Sequence, residues 1–243
     1  LLNFGYKEFD TNDILLDRED GTIPGITFAA SGNWQQWLAT LKLTYNKGLI
    51  DYTGQSQNGT PLTSKTDTRI LDYSFSIGQW IKYNNSNRLS IFAGYGQHSW
   101  QRNIRSTTTN NGAAISGLNE KYYWNYLLIG TNIEILIKPK SHWIIELQYN
   151  HMLDAEIDVE LTGFDPITLN LGKKFGIRIA SPYGYKIDDA LSIKLEPFYE
   201  YWELERGEPE RLRVNGIVSS LSIVEPASNT QNFGLNFLIT QKF

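Results

Sequence analysis

Apolar and polar residues alternate with a period of two along most of this 243-residue chain, and a helical period is almost absent. The clearest stretch is 127–137, where every odd position is Leu or Ile except Thr131. Successive side chains of a strand point to opposite sides of a sheet, so this alternation predicts strands with one apolar face. No uninterrupted apolar run approaches the roughly 18 residues of a membrane helix. The chain is therefore predicted to be all-β.

Ten alternating segments can be marked, and the connections between them differ in length. The segments are 2–10, 24–32, 36–46, 67–81, 88–102, 120–137, 142–161, 167–181, 190–204 and 228–243. Short connections fall at Gly32-Asn33, 82–87, 138–141, 162–166 and 182–189, and longer ones at 11–23, 47–66, 103–119 and 205–227. Short turns on one side and long loops on the other are typical of outer-membrane barrels. This predicts one ten-stranded antiparallel transmembrane β-barrel over residues 1–243, with short periplasmic turns and long extracellular loops.

The two faces of the segments favour a membrane barrel over a soluble one. Aromatic residues lie on the apolar face near segment ends, as interfacial girdles require; they include Trp37, Tyr45, Tyr73, Tyr95, Tyr123, Trp143 and Tyr149. The opposite face carries charges and glycines, which a dry core would bury at high cost but a barrel lumen can pair. A soluble lipocalin-like barrel or sandwich is the less favoured alternative.

The last strand strengthens the membrane interpretation. The stretch 232–243, which alternates and ends in Phe243, resembles the C-terminal assembly signal of bacterial outer-membrane proteins. The resemblance implies insertion into the outer membrane by the barrel-assembly machinery, with outer-membrane lipid and lipopolysaccharide as surroundings. Ten strands is also the number in omptin-type surface proteases and some bacterial adhesins, a likeness of fold that does not by itself assign a function.

Composition excludes several classes of function. The absence of Cys excludes disulfides, thiolate catalysis and Cys-based zinc sites, and three His leave little scope for other metals. The net charge is −4, and residues of both signs are scattered along the chain, so the sequence shows no basic patch that would bind nucleic acid. Residues 10–21 look briefly like a calcium loop, but Ile14 occupies a ligand position and the glycine comes too late. They predict an acidic surface loop, and no cofactor or metal is expected.

The predicted lumen is filled by its own side chains. Small barrels are filled in this way, and open aqueous channels need about 16 strands. The inward charges are predicted to be Lys42, Asp72, Arg102, Glu134, Glu146, Lys174, Arg178, Lys194, Glu196 and Glu200. Because both signs occur, they are expected to form a paired network, with a narrow conductive path as the alternative.

The segment 142–161 is much longer than the ~9–11 residues that cross a bilayer. Its upper half should project above the membrane. Strict alternation places its odd residues outside and its even residues inside, including Asp154, Glu156, Asp158 and Glu160. Such an inward acidic row could bind cations or a basic peptide, but a solvated face paired with Arg206, Arg211 or Arg213 is the simpler interpretation.

The sequence offers one candidate arrangement for catalysis. A protease at the barrel rim would need an Asp-His pair, and Asp72 could approach His98 across neighbouring strands. His151 and Asp154 fall on opposite faces, as do His98 and Ser99. The His-x-Ser-Asn-Gly-like run of outer-membrane phospholipases is absent. No catalytic residue is therefore assigned.

Six inward residues near the loop ends form the candidate binding site: Trp100, Arg102, Tyr122, Trp124, Glu200 and Trp202. Aromatic rings with Arg and Glu suit recognition of sugars, peptides or a loop. The simpler alternative is that they anchor the loops over the barrel mouth, which the segment 225–228 is expected to help close. The sequence thus favours a closed surface barrel whose loops bind a protein or glycan partner. A rim hydrolase and a narrow small-solute pore are the alternatives.

Overall fold

A computed structural model of the chain describes residues 1–56, 59–82, 87–109 and 112–241. Among these residues no helix is long and apolar enough to cross a membrane. Phe243 and most of the predicted turn at 82–87 lie outside the described residues. The strands are β1 (Leu2–Phe9), β2 (Leu15–Ile23), β3 (Gly25–Trp34), β4 (Trp37–Gln55), β5 (Pro61–Lys82), β6 (Asn87–Ile104), β7 (Thr107–Thr108), β8 (Ala114–Ile115), β9 (Leu118–Lys138), β10 (Ser141–Glu160), β11 (Ile167–Asn170), β12 (Gly172–Ala180), β13 (Tyr183–Lys186), β14 (Leu191–Glu205), β15 (Glu210–Val214), β16 (Ile217–Ile223) and β17 (Ala227–Gln241).

The principal sheet closes into a ring of about ten antiparallel strand positions. The order is β1, β2 with β3, β4, β5, β6, β9, β10, β12 with β11 and β13, β14 and β17, and β17 pairs back with β1. Two positions are built from several short strands; β2 and β3 are separated by Pro24, whose missing N–H cannot continue a ladder. The predicted ten-stranded antiparallel barrel is confirmed.

The two ends of the barrel differ as predicted, but two of the four predicted long loops are mainly strand. One end has tight turns at 35–36, 139–140 and 187–190, and the other carries the longer connections. Residues 11–23 and 47–66 are mainly strand, because β2, β4 and β5 continue through them. Both faces of β2 are polar, so it lacks the apolar–polar alternation that predicts a strand. The long loops are 105–117 and 206–226, and they contain the hairpins β7–β8 and β15–β16.

An apolar belt surrounds the middle of the barrel on its outer face. Exposed Leu, Ile and Phe side chains form it, among them Leu41, Leu43, Phe75, Ile77, Ile91, Ile129, Ile133, Leu147, Ile177, Ile179, Leu195, Leu235 and Phe237. Trp37, Tyr73, Tyr95, Trp143 and Tyr149 are also exposed, as the girdle prediction requires. Transmembrane barrels present a belt of this kind to lipid.

The strands continue beyond the belt on the loop side, and we call this part the upper barrel. Its wall contains β1, β2, residues 97–104 of β6 and residues 118–125 of β9. The outward positions there are polar: Gln97, Ser99 and Gln101 follow Tyr95 along β6. The upper barrel therefore lies outside the membrane-spanning segments. Its interior holds most of the buried core, including Tyr6, Trp100, Tyr122 and Ile157.

Two bulges overturn predicted side-chain directions. On β10 the register shifts between Met152 and Asp154, which reverses the alternation above that point. Ala155, Ile157 and Val159 are buried inside, and the acidic row 154–160 faces outward. The predicted inward acidic face is therefore wrong. The row is bonded to Asn125, Tyr123, Thr168 and Asn119 on neighbouring strands, and not to the predicted arginines.

The second bulge lies between Lys173 and Phe175 of β12. Lys174, predicted to face the lumen, instead forms ion pairs with Glu203 at 2.8 Å and Glu205 at 3.6 Å. These carboxylates share the outer face of β14 with Tyr201, whose ring contacts Phe175. The extra residue therefore moves Lys174 to the outer surface.

Candidate functional site

The six predicted site residues come together inside the barrel. Trp100 stacks on Tyr122 with ring centroids 4.8 Å apart, and Trp124 meets Trp202 edge-on at 5.3 Å. The Arg102 guanidinium lies 5.8 Å from the Trp100 ring, and Glu200 accepts a 3.0 Å hydrogen bond from Trp202 Nε1. Trp100, Trp124 and Trp202 are each only 2% exposed. The residues thus form a buried layer of contacting side chains inside the barrel, and their role in ligand binding stays a prediction.

Arg102 is the centre of a buried cluster of carboxyl groups. Its guanidinium donates to Glu8 at 2.8 Å, to Glu120 at 2.7 Å, to Asp17 at 3.1 Å and to Glu19 at 3.0 Å. These four residues come from β1, β2 and β9, and all are less than a tenth exposed. A second oxygen of Asp17 and of Glu19 has no hydrogen-bond partner among the described residues. The Arg102 cluster ties three strands of the upper barrel to β6.

Carboxyl groups outnumber the cation in this cluster, and that changes their titration. Burial raises the pKa of Asp17 to about 8, against the opposing attraction of Arg102. Burial likewise raises the pKa of Glu120 to about 7. Low polarity disfavours the charged form, and neighbouring negative charges disfavour it further. The cluster therefore retains protons at neutral pH.

A chain of hydrogen bonds connects the Arg102 cluster to the loop 206–226. Tyr6 donates to Glu8 at 2.7 Å, and its hydroxyl lies 3.0 Å from that of Tyr122. Tyr122 in turn donates to Glu225 at 2.5 Å. Glu225 stands between β16 and β17 and is 5% exposed. Its carboxyl therefore anchors the base of this loop inside the barrel mouth.

The predicted Asp72–His98 pair exists, but it lies inside the lumen. His98 Nδ1 is 3.2 Å from Asp72 Oδ2, and its ring stacks on Trp124 at 4.3 Å. His98 is 5% exposed, and Tyr126 also donates to Asp72. A rim hydrolase needs its base within reach of a substrate. The His98 side chain is only 6% exposed and the Asp72 side chain is 22% exposed, so little of this pair is open to a substrate.

The lower lumen contains paired charges of both signs, as predicted. Arg178 donates to Glu196 at 2.7 Å and lies 3.7 Å from Glu146. Lys42 lies 3.9 Å from Glu196, and Arg88 pairs with Glu134 at 2.8 Å. Glu196 thus receives two cations from opposite sides of the ring. Within the described residues, no group of three or more His, Asp or Glu is arranged to hold a metal ion.

An exposed apolar surface on the hairpin β15–β16 was missed by the sequence analysis. Leu212 and Ile223 pack into the mouth, whereas Val214, Ile217 and Leu221 lie on the exposed part of the same hairpin. Ile217 is 74% exposed and Leu221 is 56% exposed. We call Val214, Ile217 and Leu221 the hairpin stripe. The segment around Asn215-Gly216 could have been recognised as a two-residue hairpin turn.

Two other features shape the loop end of the barrel. Asp165 accepts from the backbone amides of Asn215 at 3.0 Å and Gly216 at 2.7 Å, which fixes the hairpin tip to the loop 161–166. A polar cleft of about 640 Å³ lies beside residues 105–107 of the other long loop; its lining includes Arg18, Asp20, Asp51, Thr53 and Lys65. Both long loops therefore present surface that a partner could reach.

No protein-family model matches the chain, and no curated protein is similar to it in sequence. Solved structures are similar in fold. The outer membrane protease OmpT from Escherichia coli has a TM-score of 0.71 and 12% identity, covering 100% of this chain and 93% of that chain. The Ralstonia pickettii toluene transporter TbuX gives a TM-score of 0.38 at 8% identity, over 100% of this chain and 87% of that one. At these identities, the likeness to OmpT shows the fold alone.

Proposed function

We propose that this protein is an outer-membrane barrel with a closed lumen, which acts as a surface binding protein through its extracellular loops. The observation that carries the proposal is the hairpin stripe, because soluble surfaces that expose contiguous apolar side chains often contact a partner. The stripe belongs to a hairpin whose base is anchored in a filled upper barrel, so a partner would meet a preformed surface. A protein or a glycan is the partner class that we propose.

The outer surface supports the membrane location. The apolar belt suits the hydrocarbon core of a bilayer, with outer-membrane lipid and lipopolysaccharide around it. Lys47 and Arg69 lie directly opposite each other on β4 and β5, two residues beyond Tyr45 and Leu71. Like charges directly opposite each other repel, so a lipid phosphate bound between these two exposed side chains would stabilise them. Insertion by the barrel-assembly machinery remains a prediction from the C-terminal stretch.

The experiment compares binding by matched hairpin variants of the refolded protein. Wild type, Ile217→Ser/Leu221→Ser and Val218→Ser are applied to a glycan array and to a panel of purified extracellular proteins. Val218 is a suitable control because it is 49% exposed but pairs with Arg213 on the other face. Each large apolar side chain is worth ~1.5–3 kcal/mol when fully buried. We therefore expect the double variant to lose at least tenfold in affinity, and the control to bind normally.

Other results would contradict the proposal. If the double variant bound as wild type does, while exchange of 105–117 abolished binding, the partner surface would be the other loop. Turnover of a phospholipid or peptide that disappears in His98→Ala and Asp72→Ala would make the protein an enzyme. Stable conductance in a planar bilayer would make it a pore, although the aromatic layer argues against a continuous water path.

A further inference from the structure

The hydrogen-bond chain from Arg102 to Glu225 links a buried titratable cluster to the proposed binding hairpin. We propose that the Arg102 cluster is a proton-dependent latch, which holds the hairpin base against the barrel while it retains its protons and releases it when they are lost. The inference rests on the proposed function only because it treats the hairpin β15–β16 as the surface that binds the partner.

The latch depends on an excess of carboxyl groups around one permanent cation. Titratable and charged groups face the cluster from five strands and from the segment that follows β16. They are Tyr6 and Glu8 of β1, Asp17 and Glu19 of β2, Tyr52 of β4, Arg102 of β6, Glu120 and Tyr122 of β9, and Glu225. Thr66 of β5 adds a neutral donor to Glu19. Four carboxyl groups thus contact a single guanidinium and Glu225 lies nearby as a fifth, so they cannot all ionise without strong mutual repulsion.

Glu225 is the member through which this repulsion would reach the hairpin. In the described structure it has no ion pair with Arg102, and Tyr122 is the hydroxyl donor to its carboxyl group. Burial, followed by the charges of Glu8 and Glu120, raises the pKa of Glu225 well above its usual range. An ionised Glu225 would be repelled by both neighbours and better solvated in water. Its natural response is to leave the mouth, because it belongs to a connecting segment and not to the barrel wall.

The chain geometry allows the base to move without unfolding the barrel. Glu225 is joined to the other side of the loop by one backbone hydrogen bond, from Gly207 N–H to its carbonyl oxygen at 3.0 Å. The hairpin tip is held separately by Asp165. Loss of the Glu225 contact therefore frees residues 207–226 at their base. The buried side chain of Leu212 and the partly buried side chain of Ile223 would follow it out of the mouth.

Hydrogen exchange read by mass spectrometry tests the latch on the full chain in lipid nanodiscs. Amides of residues 207–226 are followed from pH 5.5 to 8.5, corrected for the pH dependence of intrinsic exchange. Each proton lost on opening changes the equilibrium up to tenfold per pH unit. We expect the protection of this loop to fall at least tenfold between pH 6 and pH 8, while the β9 amides keep theirs. Glu225→Gln, a neutral copy of the protonated group, should keep the loop protected throughout.

Two further variants separate the latch from a general loosening. Tyr122→Phe removes a donor that favours the ionised carboxyl, so it should raise exchange of 207–226 at every pH, and at least as much at high pH as at low pH. Asp165→Asn should loosen the tip at every pH but leave the pH dependence in place. A flat wild-type profile, or an unchanged slope in Glu225→Gln, would overturn the proposal. Because no partner is present, a failure of partner binding and a failure of the latch can be told apart.

Discussion

Adding one methyl group at Gly176 should destabilise the barrel strongly, because the Trp202 ring already occupies the space that the methyl group would enter. A Cβ at Gly176 would lie no farther than 2.7 Å from three atoms of the Trp202 ring. The ring cannot move aside easily: Tyr126 lies 5.1 Å and Trp124 5.3 Å from it, and its Nε1 donates to Glu200. Overpacking of this kind costs ~1–3 kcal/mol. We expect Gly176→Ala to lie at the upper end of that range.

A double variant tests whether the cost comes from the ring. Trp202→Leu removes the clash and leaves a cavity, at a cost of ~3 kcal/mol by comparison with other large-to-small core changes. In Gly176→Ala/Trp202→Leu the methyl group enters that cavity. The double variant should therefore be no less stable than Trp202→Leu alone, which corresponds to a coupling energy of ~3 kcal/mol.

The assay is reversible urea unfolding in lipid vesicles, read by gel mobility of the folded barrel so that the loss of a Trp does not change the signal. Gly32→Ala is the matched control, because a Cβ there meets nothing within 4 Å. It should change the free energy of unfolding by less than ~0.5 kcal/mol. If Gly176→Ala were equally harmless, or if the two changes were additive, the aromatic layer would not be packed and the lumen would not be closed by it.

The remaining predictions concern pH, the belt and the outer face of β10. The pKa values of Asp17 and Glu120, about 8 and about 7, exceed their unfolded values, so the folded state binds more protons. The contribution of these two groups to the unfolding free energy should therefore be largest below about pH 4 and fall by up to ~1.4 kcal/mol per pH unit for each group between pH 5 and 7; in urea titrations, Asp17→Asn should reduce this fall, and an unchanged slope would contradict the assignment. Phe75→Arg in the belt should cost ~2–4 kcal/mol in vesicles, and Gln101→Arg above it almost nothing; equal costs would refute the assigned membrane boundary. Glu160→Lys should change stability by less than ~0.5 kcal/mol, whereas a loss of several kcal/mol would place this residue inside.

The sequence predicted the fold well because the belt imposes a strict pattern. Wherever a strand passes through it, outward residues such as Leu127 or Phe75 are apolar and inward ones are polar or small, so alternation is easy to read. The pattern also predicted that Asp72 approaches His98, since the two lie opposite each other on β5 and β6. All six candidate residues shared the inward face for the same reason.

The upper barrel was harder to predict, because there both faces carry polar groups. Asp17 and Glu19 were read as part of an acidic loop, although they are inward strand residues whose partner, Arg102, lies more than 80 positions away. No local pattern reveals such a pairing. The hairpin stripe was missed for a similar reason: its short strands alternate too briefly to stand out between 205 and 227.

The bulge of β10 shows why strict alternation fails at the edge of the membrane. In the belt the outside is lipid and the apolar face points outward, as Leu147 and Tyr149 do. Above the belt the outside is water, so the apolar face must turn inward and the charged face outward. On β9 the change needs no bulge, because Tyr126 and Trp124 continue the inward face while Asn125 and Lys121 replace Leu127 outside. On β10 the apolar residues stay at odd-numbered positions, which face outward in the belt. The extra residue at Leu153 shifts the alternation by one, so that the odd-numbered positions above it face the interior. A carboxylate row opposite an apolar row, beyond the length that a bilayer requires, therefore indicates a change of solvent and a bulge near the boundary, and not an acidic lumen.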